Sequence, residues 1–173
     1  MLSLSDNEFS VISFLVRNFS EKLTIRSIAQ RLDFSAAGVF NILKKLEKVN
    51  IVYGQKFGTG LFYSINFENK IAEHLAAIVL LHSEEKPDKT VFDQAKNFKA
   101  VLFDKKTVLV ITDNVSTAEI SIPNYSLVSK TEEELIVALR KRDADILQLL
   151  KKGTALYGEE KIVDTIKKCS YGF

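Results

Sequence analysis

The sequence predicts an α+β chain in two parts, and three observations carry that prediction. Apolar residues recur at helical spacing as far as residue 49 and then alternate as in strands. A glycine-rich stretch, Gly54-Gln55-Lys56-Phe57-Gly58-Thr59-Gly60, separates two alternating segments as a hairpin tip. A charged run broken by proline, Ser83-Glu84-Glu85-Lys86-Pro87-Asp88-Lys89, marks a linker. These features divide the chain into a first domain at 1–68, a connecting helix and linker at 69–90, and a small α+β domain at 91–173.

Each element has a local cause. Ser5 and Glu8 form a capping box that opens a helix with Phe9, Ile12, Phe14, Leu15 and Val16 apolar, up to Phe19. Thr24 caps a second, short helix with Ile25, Ile28, Ala29 and Leu32 inward, and Asp33-Phe34 is the turn after it. Ser35 caps a third helix at 35–49, with Val39, Ile42, Leu43, Leu46 and Val49 on one stripe. Residues 51–53 and 61–65 are the two strands of the hairpin. Three helices followed by a β-hairpin is the order of a winged helix.

A fourth helix at 67–82 has Ile71, Leu75, Ala76, Ile78, Val79, Leu80 and Leu81 spread over more than one stripe. Such a helix is expected to be buried on two sides, against both domains or in a homodimer seam. Beyond the linker, 98–103 and 107–112 form a hairpin turned by Asp104-Lys105-Lys106, with further strands at 119–122 and 125–128. Thr131 and Glu134 open a helix to about Arg142. A helix at 144–152 is stopped by Gly153, and a last one runs over 159–168. Gly153 and Gly158 end and separate these helices.

Composition narrows the function. Of 173 residues 46% are apolar, which supplies a core, and the net charge is +2. Residues 1–69 hold eight basic residues (Arg17, Lys22, Arg26, Arg31, Lys44, Lys45, Lys48, Lys56) against six acidic ones (Asp6, Glu8, Glu21, Asp33, Glu47, Glu68), so the excess sits there. Its small size limits how tightly one copy grips phosphates. The longest apolar run, 75–81, is far short of the ~20 residues needed to cross a bilayer. The first residues lack the basic and apolar regions of a signal peptide, so a soluble cytoplasmic protein without membrane contact is expected. A single cysteine, Cys169, excludes an intrachain disulfide and a cysteine-based zinc site.

The third helix is the candidate reader of double-stranded DNA. Its outward side carries Ser35, Ala36, Ala37, Phe40, Asn41, Lys44, Lys45 and Lys48. Asparagine pairs bidentately with adenine, and alanine touches thymine methyl groups. Lysine suits phosphates, as a flexible point charge that reads base edges poorly. Lys56 and Thr59 at the hairpin tip reach the flanking backbone or minor groove. The plain alternative is a solvated lysine face. The same periodicity also serves a winged helix that binds protein, and an outward Phe40 and the lack of arginine on this helix suit that use.

The run Leu23-Thr24-Ile25-Arg26-Ser27-Ile28-Ala29-Gln30-Arg31-Leu32, then Ser35 and Ile42-Leu43-Lys44-Lys45-Leu46-Glu47, resembles the MarR-like winged helix-turn-helix regulators common in archaea and bacteria. In the second domain, Ser129-Lys130-Thr131-Glu132-Glu133-Glu134-Leu135, Arg142-Asp143-Ala144-Asp145-Ile146-Leu147 and Leu150-Lys151-Lys152-Gly153-Thr154-Ala155-Leu156-Tyr157-Gly158 resemble the tail of small polymerase-β-type nucleotidyltransferase domains, which archaeal proteins often fuse behind a winged helix. Lys99-Ala100-Val101-Leu102-Phe103 and Val108-Leu109-Val110-Ile111-Thr112-Asp113 are similar to that family's first two core strands. Active members follow the first strand with a glycine-serine turn and open the second with two aspartates that bind magnesium. Here Phe103 is followed by Asp104-Lys105-Lys106-Thr107 instead. The resemblance therefore implies a nucleotidyltransferase-like domain that has lost its site, with no catalytic residue, metal or cofactor.

Other residues draw plainer readings. His74 and His82 lie eight positions apart on one helix, beyond the reach of one metal. Asp143 and Asp145 are better explained by a helix cap than by a metal pair. Gly58-Thr59-Gly60 precedes no helix, so it is no phosphate loop. Cys169 has no activating neighbours. The expected function is a dimeric DNA-binding transcriptional regulator, with an effector ligand or protein partner for the second domain. An atypical nucleotidyltransferase and a winged-helix adaptor for protein remain as alternatives.

Overall fold

The computed structural model describes residues 3–82, 91, 93, 97–113 and 124–170, which form a mixed α+β structure with seven helices and two sheets. The chain divides into two compact units, Met1–Val79 and Leu80–Phe173.

In the front unit, side-chain caps set the helix starts. α1 (Asp6–Arg17) opens on the Ser5–Glu8 capping box, and α2 (Ile25–Leu32) on a second box between Thr24 and Ser27. α3 (Ala36–Lys48) is capped by Ser35, whose Oγ accepts from the Gly38 amide at 3.0 Å. Between α2 and α3, Asp33 takes a left-handed conformation with φ 56°, which ends α2 abruptly. Val11, Ile12, Leu15, Ile28, Val39, Leu43 and Leu46 are fully buried and join the three helices into one core. Ile42 is only half-buried and Val49 is exposed, so the inner stripe of α3 is narrower than its apolar pattern predicts.

β1 (Val52–Phe57) and β2 (Gly60–Ile65) pair antiparallel from Val52↔Ile65 to Phe57↔Gly60. The hairpin is thus closed by Gly58 and Thr59 alone, not by the seven-residue tip predicted at 54–60. Gly58 has φ +57° at the first turn position, as a type II′ hairpin requires. Gly54 belongs to the strand, where it pairs with Tyr63, and space beside it is short. A Cβ on it would lie 3.2 Å from Leu61 and Tyr63 side-chain atoms. The Tyr63 amide donates to the Leu23 carbonyl at 2.8 Å, which adds an isolated antiparallel bridge beside β2.

α4 (Lys70–Leu81) starts three residues later than predicted, where the Asn69 side-chain oxygen accepts from the Ile71 amide at 2.8 Å. Ala72, Ala76, Val79 and Leu80 are buried, but Ile71, Ile78 and Leu81 are exposed. Leu75 and Ala77 are buried too, so α4 is covered over much of its circumference and only the side of Ile71, Ile78 and Leu81 is left exposed among the described residues.

In the back unit, β3 (Ala100–Asp104) and β4 (Thr107–Ile111) form an antiparallel hairpin over Lys105-Lys106. β5 (Ser126–Lys130) lies parallel to β4, in place of the strand predicted at 125–128. α5 (Glu132–Arg140), opened by the Thr131–Glu134 capping box, and α6 (Ala144–Lys152) follow. The unexpected β6 (Thr154–Tyr157) then pairs antiparallel with β3, giving the order β5-β4-β3-β6, and α7 (Glu159–Ser170) ends the described chain. Four residues between two glycines read as a spacer, and only the edge of β3 makes them a strand. The strand predicted at 119–122 and the linker at 83–89 lie outside the described residues.

Both faces of β3 and β4 are covered, so they read as continuous apolar runs. Val101, Phe103, Val108 and Val110 pack with Val91 and Phe98, while the alternate Ala100, Leu102, Leu109 and Ile111 are buried on the other face. Glu132 on α5 pairs with Lys161 and, at 2.7 Å, with Lys168, tying α5 to α7. No helix among the described residues is long and apolar enough to cross a membrane.

Candidate nucleic-acid interface

The geometry of α3 follows from its burial. Val39, Leu43 and Leu46 anchor one side. The opposite side then presents Ala37, Asn41, Lys44 and Lys48, separated by four, three and four residues, which on a helix makes one ridge about 16 Å long. All four are exposed, as are Ser35, Ala36, Phe40 and Lys45 on the flanks and cap, and Lys56 and Thr59 on the hairpin. Every residue singled out in the sequence is therefore on the surface.

Their partners distinguish them. Lys44 and Lys48 have no ion pair among the described residues, and the Lys44 ammonium lies 5.8 Å from the centre of the Phe40 ring. That contact uses part of the exposed Phe40 surface, 45% accessible, as a platform for the cation. Ser35 spends its acceptor on the cap of α3. Lys45 departs from the expected role. Its Nζ lies 2.6 Å from Oε1 of Glu8, which is only 5% exposed. Lys45 thus neutralises a buried carboxylate and fastens α3 to the start of α1. The sequence spacing of α3 alone does not reveal this, because the partner is 37 residues upstream.

Glu8 also accepts from the Ser5 amide at 2.8 Å through Oε2. The hydrogen bond from Lys45, and then that from the Ser5 backbone, hold its pKa below the usual carboxylate value, against the opposing effect of burial. The folded value is thus the lower one. The stabilisation is complete above the ordinary carboxylate pKa near 4.3 and is lost as pH falls through the folded value. Glu8→Gln is expected to destabilise the front unit by about 1–2 kcal/mol at pH 7. In urea titrations the gap between wild type and variant should close as the pH drops to 3 and below. A gap that stays constant with pH would show that the charge of Glu8 contributes nothing.

Sequence reasoning passed over three surface groups near this site. Lys22, just before α2, holds its ammonium 4.8 Å from the centre of the Phe57 ring. Phe57 and Tyr53 lie on the hairpin and are 40% and 41% exposed. A lysine in a loop and alternating aromatics in a strand give no signal of their own until pairing puts them together. Arg31, by contrast, is held by Glu21 and by Asn18 Oδ1 at 2.7 Å.

The remaining candidates resolve into structural roles or remain apart. Asp143 caps α6, its Oδ1 accepting from the Asp145 and Ile146 amides at 3.1 Å. Asp104 ends β3 opposite Thr107, whereas Asp113 lies six residues beyond Thr107 and pairs with Lys99. At strand rise the two aspartates are separated by up to roughly 20 Å, too far to share an ion. His74 and His82 are both exposed on or beside α4, about 12 Å apart along its axis. Among the described residues no cluster of three or more His, Cys, Asp or Glu could hold a metal ion. Cys169 is buried, which pushes its thiol pKa up. No protein-family model matches this sequence, and no curated protein matches it either.

Proposed function

We propose that residues 1–68 act as a winged helix-turn-helix that grips double-stranded DNA, and that the chain is a DNA-binding transcriptional regulator. The observation that carries this reading is the outer ridge of α3. Asn41, Lys44 and Lys48 stand exposed on a helix whose opposite side is locked into the core. A helix seated in the major groove needs that division. The β1–β2 hairpin follows it immediately and presents Thr59 in its turn and Lys56 just before it, where a wing meets the flanking backbone. Asn41 is assigned to a base edge, and Lys44 and Lys48 to phosphates.

The back unit is proposed to be a catalytically inactive nucleotidyltransferase-like module for effector or partner contact. Its tight Lys105-Lys106 turn supports this, since it has no room for the glycine-serine loop and paired aspartates of active members. A homodimer is proposed as the working form. The exposed Ile71, Ile78 and Leu81 on α4 favour it, and two copies offset the low charge of one.

Gel-shift titration of the full chain against genomic fragments at low and moderate salt tests the regulator reading. Salt-sensitive shifts with a preferred fragment are expected. Failure to shift any duplex, with a stable co-purifying protein, would instead favour the adaptor that the exposed Phe40 suits. Incubation with labelled nucleoside triphosphates and magnesium is expected to give no label transfer.

A further inference from the structure

The β1–β2 hairpin has two faces, and only one belongs to the core. Val52, Tyr63 and Ile65 point inward and are buried. The other face is set by the register Tyr53↔Ser64, Gln55↔Phe62 and Phe57↔Gly60. It carries three aromatic rings, two of them about 40% exposed, with the Phe57 and Phe62 centroids 6.1 Å apart. Phe62 is half-buried, and the Tyr53 and Phe57 rings are left out of the interior.

Charge narrows what it fits. Residues 52–65 contain no acidic residue, and Lys22 brings its ammonium to the Phe57 ring, whereas Lys56, opposite Leu61, belongs to the other face. An aromatic face that carries the Lys22 ammonium and has no acidic residue in its own strands, the Glu47 carboxylate being taken up by the Gly54 amide, suits a polyanion that also offers flat apolar groups. Unpaired nucleobases are such groups, because every base has a π-face and stacks on exposed aromatics without regard to sequence. Tyr53 and Phe57 are about 13 Å apart along the strand, so they serve two different bases. The Gln55 amide between them can meet base edges.

We propose that the outer face of this hairpin binds unpaired DNA bases, which stack on Phe57 and Tyr53 while Lys22 neutralises a phosphate. Together with α3 this makes the front unit a reader of duplex that carries a single-stranded tail. Only the duplex half of that statement rests on the function proposed above.

The test uses the full chain and three fluorescein-labelled probes followed by anisotropy. These are a blunt 20-base-pair duplex, the same duplex with an eight-thymidine tail, and a 20-residue oligothymidine. The tail is expected to tighten binding by at least about tenfold, which stacking of either one of the two bases alone would supply. Tyr53→Ala with Phe57→Ala should remove the gain and leave the blunt duplex bound as before. Phe57→Leu, which keeps the apolar bulk but not the ring, should also reduce the gain, and Phe57→Trp should keep it. Thermal melts confirm that these surface variants fold. Equal binding of blunt and tailed duplex would overturn the proposal. So would a gain that survives the double alanine variant, or a stable self-association lost in that variant, which would assign the face to a second copy. Binding of oligothymidine through Tyr53 and Phe57 without binding of blunt duplex would uphold this site and sink the α3 reading.

Discussion

Replacing Lys44 and Lys48 together with glutamate is expected to weaken duplex binding by at least roughly a hundredfold near 0.1 M salt. Both lysines stand on the outer ridge of α3 without an ion pair among the described residues, so little in the fold depends on them. Two proposed phosphate contacts would become two repulsions. With alanine at both positions the loss should be smaller, and the slope of log affinity against log salt should flatten by about two. Lys45→Ala provides the internal contrast. It removes the partner of buried Glu8 and should lower stability more than it lowers affinity. Asn41→Ala is expected to relax the preference at one base pair, at a cost of about 1–3 kcal/mol for the preferred site. Anisotropy over a salt series reads all four variants. Affinity and slope that do not change in a folded Lys44/Lys48 variant would end the docking model.

The largest stability effect is expected at Gly158. Its φ is +68°, and a Cβ there would lie 2.1 Å from the Lys99 carbonyl oxygen and 2.8 Å from Ala100. Alanine would meet two costs at once. The left-handed conformation costs roughly 1–2 kcal/mol, and the overlap with β3 backbone forces a shift worth about 1–3 kcal/mol more. For a unit of this size the sum lowers the melting temperature by about 10 °C or more. Gly58 separates the two causes. Its φ is +57°, but nothing lies within 4 Å of a Cβ built there. Gly58→Ala should therefore show only the conformational cost. Calorimetry of the two variants makes the comparison. A Gly158→Ala melt close to that of Gly58→Ala would mean that the approach of the β6–α7 corner to Lys99 is wrong. Because Gly158 lies in the back unit, duplex binding by its variant at low temperature should be retained.

Local signals carried much of this molecule. Ser5 with Glu8, Thr24, Ser35, and Thr131 with Glu134 cap four helices by hydrogen bonds that span only a few residues, so the chain alone predicts where those helices begin. The inward set on α3 is likewise a matter of helical period. It leaves Asn41, Lys44 and Lys48 outward before any coordinates are known.

What the chain alone could not tell depends on partners far apart in sequence. Gly54 reads as a turn residue, yet it is a strand residue pressed against Leu61 and Tyr63. Residues 154–157 become a strand only because the edge of β3, some fifty positions earlier, is there to pair with them. Lys45 reads as a free cation until α1 brings a buried carboxylate to it. Tyr53, Phe57 and Lys22 form a surface only when cross-strand register and the Leu23–Tyr63 bridge gather them. Caps and periodicity are short-range and are written in the order of residues. Pairing, burial and charge neutralisation require two distant segments to meet, and that meeting exists only in the folded chain.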